Sequence, residues 1–208
     1  MTLSRRAVLA LPVSAGLAAC AEAAPAAAPA EPWAKRLIDA ARSQIGVTRL
    51  YDPAYVRLDF PNGDVPPDRG VCTDVVIRAY RAGLGHDLQA VVNADMRAAF
   101  SAYPRRWGLS RPDRNIDHRR VPNLQTFWRR RGAALETPSV PTIWAPGDLV
   151  TQLIGGNLPH VGVVSDRRTA SGRLLVIHNA GRGTQEEDIL ELWPVTGRFR
   201  YAPARFAA

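Results

Sequence analysis

At 208 residues, 46% of them hydrophobic, the chain can bury one sizeable core, and its composition calls for no second domain. Its net charge of +8 suits an anionic polymer or a membrane surface, and no nucleic-acid motif or continuous basic stripe accompanies that charge. Two cysteines and four histidines, with no two of them at zinc spacing beside a carboxylate, give no metal centre and imply no cofactor.

The chain begins with an address rather than a fold. Ser4-Arg5-Arg6 precedes an apolar run from Ala7 to Ala19, which contains Pro12 and Gly16. That run is shorter than the about 20 residues a membrane-spanning helix needs, so residues 1–19 read as a signal peptide. Leu17-Ala18-Ala19-Cys20 resembles the bacterial lipobox, which implies lipidation of Cys20 as the mature N-terminus. Ser4-Arg5-Arg6-Ala7-Val8-Leu9 is similar to a twin-arginine export signal, so that route and Sec both fit. Ala21, where enteric lipoproteins held at the inner membrane carry Asp, favours the outer membrane. Residues 20–32 are then an Ala/Pro-rich tether, and residues 33–208 a periplasmic domain. Residues 21–32 reach at most about 40 Å, at roughly 3.3–3.6 Å per residue, so the domain works near its membrane. Without Arg5 and Arg6, the 27 basic residues set against 19 acidic ones leave the mature chain at +6.

Trp33, Leu37, Ile38, Ala41 and Ile45 predict an amphipathic helix ended by Gly46. Tyr51 to Asp68, punctuated by Pro53, Pro61, Asn62-Gly63, Pro66 and Pro67, reads as a long surface loop of the kind that lines a cleft. Gly70 then breaks the chain just before Cys72, and Val75, Val76, Ala79 and Tyr80 recur at helical spacing until Gly83. Cys72 therefore opens a helix. There the unpaired amides and the macrodipole favour a thiolate, with a pKa lowered from about 8.5 into the range of roughly 3.5 to 7.5. With Cys20 lipidated, Cys72 has no disulfide partner, and a lone exported thiol is a candidate nucleophile; the alternative is a small buried apolar cysteine.

Leu88, Val91, Val92, Met96 and Phe100 predict a further core helix, and a short one starts near Pro122 and ends at Gly132. His86 reads as a solvated or capping residue, His118 as a surface hydrogen-bonding residue, and Arg119, Arg120 and Arg129 to Arg131 as a solvated helix face. Beyond Leu135 the pattern turns to β-type runs at 148–154, 160–165, 174–178, 189–193 and 196–201. Gly155-Gly156-Asn157 and Arg167 to Gly172 are the turns between the central strands. Helices first and strands after predict an α+β domain with an antiparallel sheet.

A cysteine nucleophile needs a base, and the base needs an orienting group. His160 opens one strand and His178 closes the next, so antiparallel pairing brings both to one end of the sheet. Asn179 competes for the third place, but adjacent strand residues point to opposite faces, so His178 and Asn179 cannot both face His160.

Helix-initial Cys72, Trp144-Ala145-Pro146-Gly147-Asp148-Leu149-Val150, His160-Val161-Gly162-Val163-Val164 and His178 together resemble the NlpC-type papain-like cysteine peptidases of bacterial cell walls. Gly70 to Tyr80, Pro61 to Pro66 and Asn115 to Asn123 are similar, more narrowly, to an envelope-protein family of undefined function grouped with those peptidases. The resemblance implies a papain-like fold, Cys72 as nucleophile, His160 as general base and then acid, and His178 as the residue orienting His160. It implies a tyrosine in the substrate site, for which Tyr51 and Tyr55 are the counterparts, with Asp74 and Asn179 as further polar contacts. The implied substrate is an amide of peptidoglycan or a muropeptide, cut by a monomeric thiol hydrolase through an acyl-thioester. The chain departs from the family in having Val71-Cys72-Thr73-Asp74 around the thiol. The alternative is a non-catalytic lipoprotein whose cleft binds glycan or an anionic polymer.

Overall fold

Four helices and an antiparallel sheet make up the computed structural model, which describes residues 30–136 and 144–206. The signal peptide, Cys20 and most of the tether lie outside the described residues. Helix α1 (Pro32–Arg42) starts one residue earlier than expected, with Pro32 supplying a preset φ in its first turn. Trp33, Ala34, Leu37, Ile38 and Ala41 are its buried stripe. A short parallel pair, β1 (Leu50–Tyr51) and β2 (Arg69–Gly70), ties the two ends of the long loop together.

Helix α2 (Cys72–Leu84) is the central support, buried along most of its length. It does not stop at Gly83. A Cβ there would lie 2.5 Å from the Arg36 carbonyl oxygen, so Gly83 is what allows α1 and α2 to approach closely. The stop is Gly85, left-handed at φ 52°, whose N–H donates to the Arg81 carbonyl. Helix α3 (Leu88–Ala98) is capped by Asp87, which accepts from the Gln89 amide at 3.1 Å, and α4 (Val121–Arg130) carries Pro122 in its first turn.

The main sheet has the order β3-β8-β4-β5-β6-β7, antiparallel throughout, with β3 at Ala134–Leu135, β4 at Leu149–Ile154, β5 at Leu158–Arg168, β6 at Leu174–Asn179, β7 at Thr184–Glu187 and β8 at Val195–Phe199. The α+β expectation and the antiparallel sheet are found. Two details are corrected. Residues 189–193 are not a strand; Ile189 and Leu190 instead cover the sheet, and β7 lies earlier, at polar residues the alternation pattern passes over. Strand β5 also runs through Arg168, so the following turn narrows to the bonds between Thr169 and Arg173.

Both faces of the sheet are covered, which explains the nearly continuous apolar runs of β4, β5 and β6. Leu149, Val161, Val163, Ile177 and Phe199 join the helices, with Cys72, in one core. Val150, Val164, Leu174 and Val176 pack on the opposite side with Trp144, Ile189 and Leu190. Asp148, of the Pro-Gly-Asp-Leu-Val run, is fully buried and holds Arg198 Nε at 2.7 Å and Arg200 Nε at 2.8 Å, so it anchors β8 to the start of β4.

Candidate functional site

Cys72 is the first residue of α2 and is 4% exposed. Asp74 closes the helix start by accepting the Val71 N–H at 2.6 Å, and Val71, having no side-chain acceptor, returns nothing. The Asp74 carboxylate is also held by Arg119, whose Nε and Nη2 donate at 2.8 and 2.9 Å, and both side chains are buried. Arg119 donates further to the carbonyls of Asp52 and Ala54 at 3.3 Å each. Asp74 therefore joins α2 to the loop over the site, and it is not among the residues that line the cleft at Cys72. Asn179 is fully buried as well: its amide donates to Gly70 O at 3.0 Å, and its oxygen accepts from Gly181 N.

His160 and His178 meet. Nε2 of His160 lies 2.9 Å from Nδ1 of His178, with the rings nearly perpendicular. Gly162 makes this approach possible. A Cβ at Gly162 would sit 2.4 Å from Val176 Cγ1 and 3.2 Å from His178 Cβ, so any side chain would push β6 away. Gly162→Ala is expected to cost about 1–3 kcal/mol by overpacking and to separate the imidazoles, read as a lowered melting temperature with shifted histidine NMR signals. A variant identical to wild type in both would refute this account. By strand alternation, His160 shares a face with Gly162 and Val164, and His178 shares it with Val176. Trp193 covers this face, with ring centroids 5.5 Å from His160 and 6.1 Å from His178. On its far side His178 Nε2 lies 3.1 Å from Glu187 Oε2, a partner in β7 that the chain's local patterns do not single out.

Among the described residues no hydrogen bond joins Cys72 to His160. The sulfur instead meets the amide of Val161 and those of Thr73 and Cys72 itself, on the helix face of β5, whereas the His160 ring projects to the Trp193 face. These amides favour the thiolate, but burial outweighs them and pushes the thiol up to about 12. The depressed thiol pKa expected from the helix start is thus corrected, because desolvation opposes the charged form more than the first-turn amides support it. Burial holds His160 at about 3 and lowers His178 too. At rest the thiol and both imidazoles are neutral.

A cleft of about 270 Å³ opens onto Cys72. Tyr51 lines it with Trp107, Arg106, Arg119 and Arg120, and Pro159 brings its edge to the residue before His160, although neither histidine lines it. Burial raises the Tyr51 hydroxyl to about 12, so it is a neutral donor. Tyr55 does not line this cleft: it is 59% exposed and bonds Asp113 and Asn115. Arg120 stacks on Trp107 with its guanidinium 4.1 Å from a ring centroid and pairs with Asp117 at 3.0 Å.

Two further readings are corrected by burial. His118 is 2% exposed, its Nδ1 has no partner among the described residues, and burial holds it at about 3. His86 is half-buried, with Nε2 3.0 Å from the Tyr201 hydroxyl. The expected solvated helix face is also engaged, since Arg130 and Arg131 pair with Asp95 and the Arg129 guanidinium lies over Phe199. His118, His160 and His178 bind protons more weakly folded than unfolded. Stability is therefore full above the unfolded value of about 6.5 and lost as pH falls from there, toward about 3 for His118 and His160, by about 1.4 kcal/mol per pH unit for each of those two. Denaturant midpoints measured across this window should fall steadily toward acid, and a flat profile would contradict the assignment. Among the described residues no group of three or more His, Cys, Asp or Glu is placed to hold a metal ion.

Fold and site together define the class: an α+β domain in which a buried thiol at a helix start packs on one face of an antiparallel sheet whose opposite face carries a bonded histidine pair. The sequence matches the family model described as a domain of unknown function, DUF1287, over residues 38–201. It is also 52% identical over 165 residues to the uncharacterized protein YijF of Escherichia coli (strain K12), covering 79% of this chain and 80% of that protein. The chain belongs to the DUF1287 family.

Proposed function

We propose that this protein is a cell-envelope thiol hydrolase of the papain-like, NlpC type that cleaves an amide in the stem peptides of peptidoglycan. The observation that carries this reading is the 2.9 Å bond between His160 and His178, one residue along β5 from the amide that meets the Cys72 sulfur. In such a reaction the Cys72 sulfur attacks the carbonyl carbon and its proton passes to His160, a transfer that requires the imidazole to come round from the Trp193 face to the helix face of β5. The C–N bond then breaks, and the amine leaves with that proton. Water hydrolyses the thioester, giving a carboxylic acid and restoring the thiol. The backbone N–H of Cys72 supplies one donor to the oxyanion. A neutral thiol and a neutral imidazole are the starting forms of a general-base route. The arginines around the cleft suit a substrate bearing carboxylates, as stem peptides do. Release of soluble muropeptides from cell wall by wild type, and none by Cys72→Ala, tests the reading.

One observation favours a second reading. A thiol raised to about 12 and almost wholly buried is chemically quiet, as it would be in a non-catalytic lipoprotein whose basic cleft binds an anionic polymer. Binding of cell wall by wild type and Cys72→Ala alike, with no product from either, would establish it.

The chain is proposed to work as a periplasmic monomer anchored through lipidated Cys20. No helix among the described residues is long and apolar enough to cross a membrane. Mass spectrometry of the mature N-terminus should find a diacylated Cys20, and cleavage elsewhere would refute the anchor.

A further inference from the structure

We infer that Glu187 is a positioning residue that sets the protonation of the histidine pair, leaving Nδ1 of His160 as the nitrogen free to take a proton. Its use in catalysis rests on the hydrolase reading above; the proton arrangement itself does not.

An ionised carboxylate only accepts, so the 3.1 Å contact between Glu187 Oε2 and His178 Nε2 requires a proton on Nε2. Arg182 pairs with the same carboxylate, with Nη2 2.6 Å from Oε1. A neutral imidazole carries a single N–H, so Nδ1 of His178 is an acceptor. The 2.9 Å contact on that side must then be His160 donating from Nε2. His160, neutral in turn, carries its lone pair on Nδ1. The opposite arrangement would set a lone pair of His178 against the carboxylate, an unfavourable contact in a buried site. Burial supports the neutrality of both rings, and Trp193 shields them. The charged groups around the pair are Glu187 and Arg182, and Cys72 is the titratable group on the helix side of β5.

Placement in the sheet explains why Glu187 reaches this position. In the β6–β7 ladder Glu187 is opposite Val176 and Gln185 is opposite His178, so Glu187 shares the face on which His178 projects and lies diagonal to it. Its side chain is 33% exposed, and its other oxygen bonds Arg182.

Two-bond 1H–15N correlation spectra of 15N-histidine-labelled protein near neutral pH read the tautomers directly, with His160→Gln and His178→Gln variants assigning the signals. Both rings should be Nε2–H tautomers in wild type. Glu187→Ala should abolish the preference at His178, whereas Glu187→Gln, whose amide oxygen still accepts, should restore it. A purely structural role would lower stability in both variants without moving the tautomers. An Nδ1–H tautomer at either histidine in wild type overturns the inference, as does a Glu187→Ala spectrum with unchanged tautomers. If Glu187→Ala does not fold, the wild-type spectrum decides alone. Because the readout needs no turnover, failure to cut cell wall would overturn the hydrolase reading and leave this one standing.

Discussion

Cys72→Ala is expected to abolish muropeptide release, and His160→Ala to match it, each lowering turnover by a factor on the order of 10⁴ or more, because nucleophile and base act as a unit and losing either stops acyl transfer. His178→Ala should leave measurable activity. It removes the group that fixes the His160 ring at 2.9 Å but leaves a base in place. The three variants assayed against one cell-wall preparation provide the check. Activity retained in Cys72→Ala would end the hydrolase reading, and a His178→Ala loss as deep as that of His160→Ala would assign His178 a part in proton transfer itself. Cys72 alkylation sharpens the result. With the thiol pushed up to about 12, iodoacetamide should modify it with a midpoint well above that of free cysteine, and substrate or a product analogue in the cleft should bring that midpoint down if the enzyme engages the thiol only on binding.

The largest effect on stability is expected at Asp74 and Arg119. Their bidentate pair is buried, and truncating one partner leaves the other charge without compensation, at a cost of about 3–5 kcal/mol. In a domain of this size that corresponds to a melting temperature lower by roughly 6–20 °C. Asp74→Ala should be the more damaging, since it also frees the Val71 amide at the start of the Cys72 helix. Arg119→Ala should release the Asp52 and Ala54 carbonyls and loosen the loop that follows Tyr51. Replacing both residues together by apolar side chains should cost less than either single truncation, because no unpaired charge is then buried. Single variants melting within a degree or two of wild type would show that the pair contributes little to the fold.

Several features were legible along the chain because their causes are local. The helix beginning at Cys72 follows from Gly70 and the proline-rich approach, and the central strands follow from short β-branched runs between glycine turns. The meeting of His160 and His178 followed from strand order alone, since antiparallel neighbours bring the start of one strand to the end of the next. Other features have no local cause. Gly83 resembles a helix stop, yet it serves a contact with Arg36 in another helix, and a single chain pattern carries no record of that neighbour. Arg119 sits among surface-like residues, and its burial depends on Asp74, 45 positions away. Glu187 belongs to a polar strand without alternation, and only the β6–β7 register sets it against His178. The thiol differs most. Its place at a helix start was determined by the sequence, and that place by itself lowers a thiol pKa. The sign of the actual shift was decided by tertiary packing, because the desolvation that comes with a fully enclosed sulfur acts on the charged form more strongly than three backbone amides do.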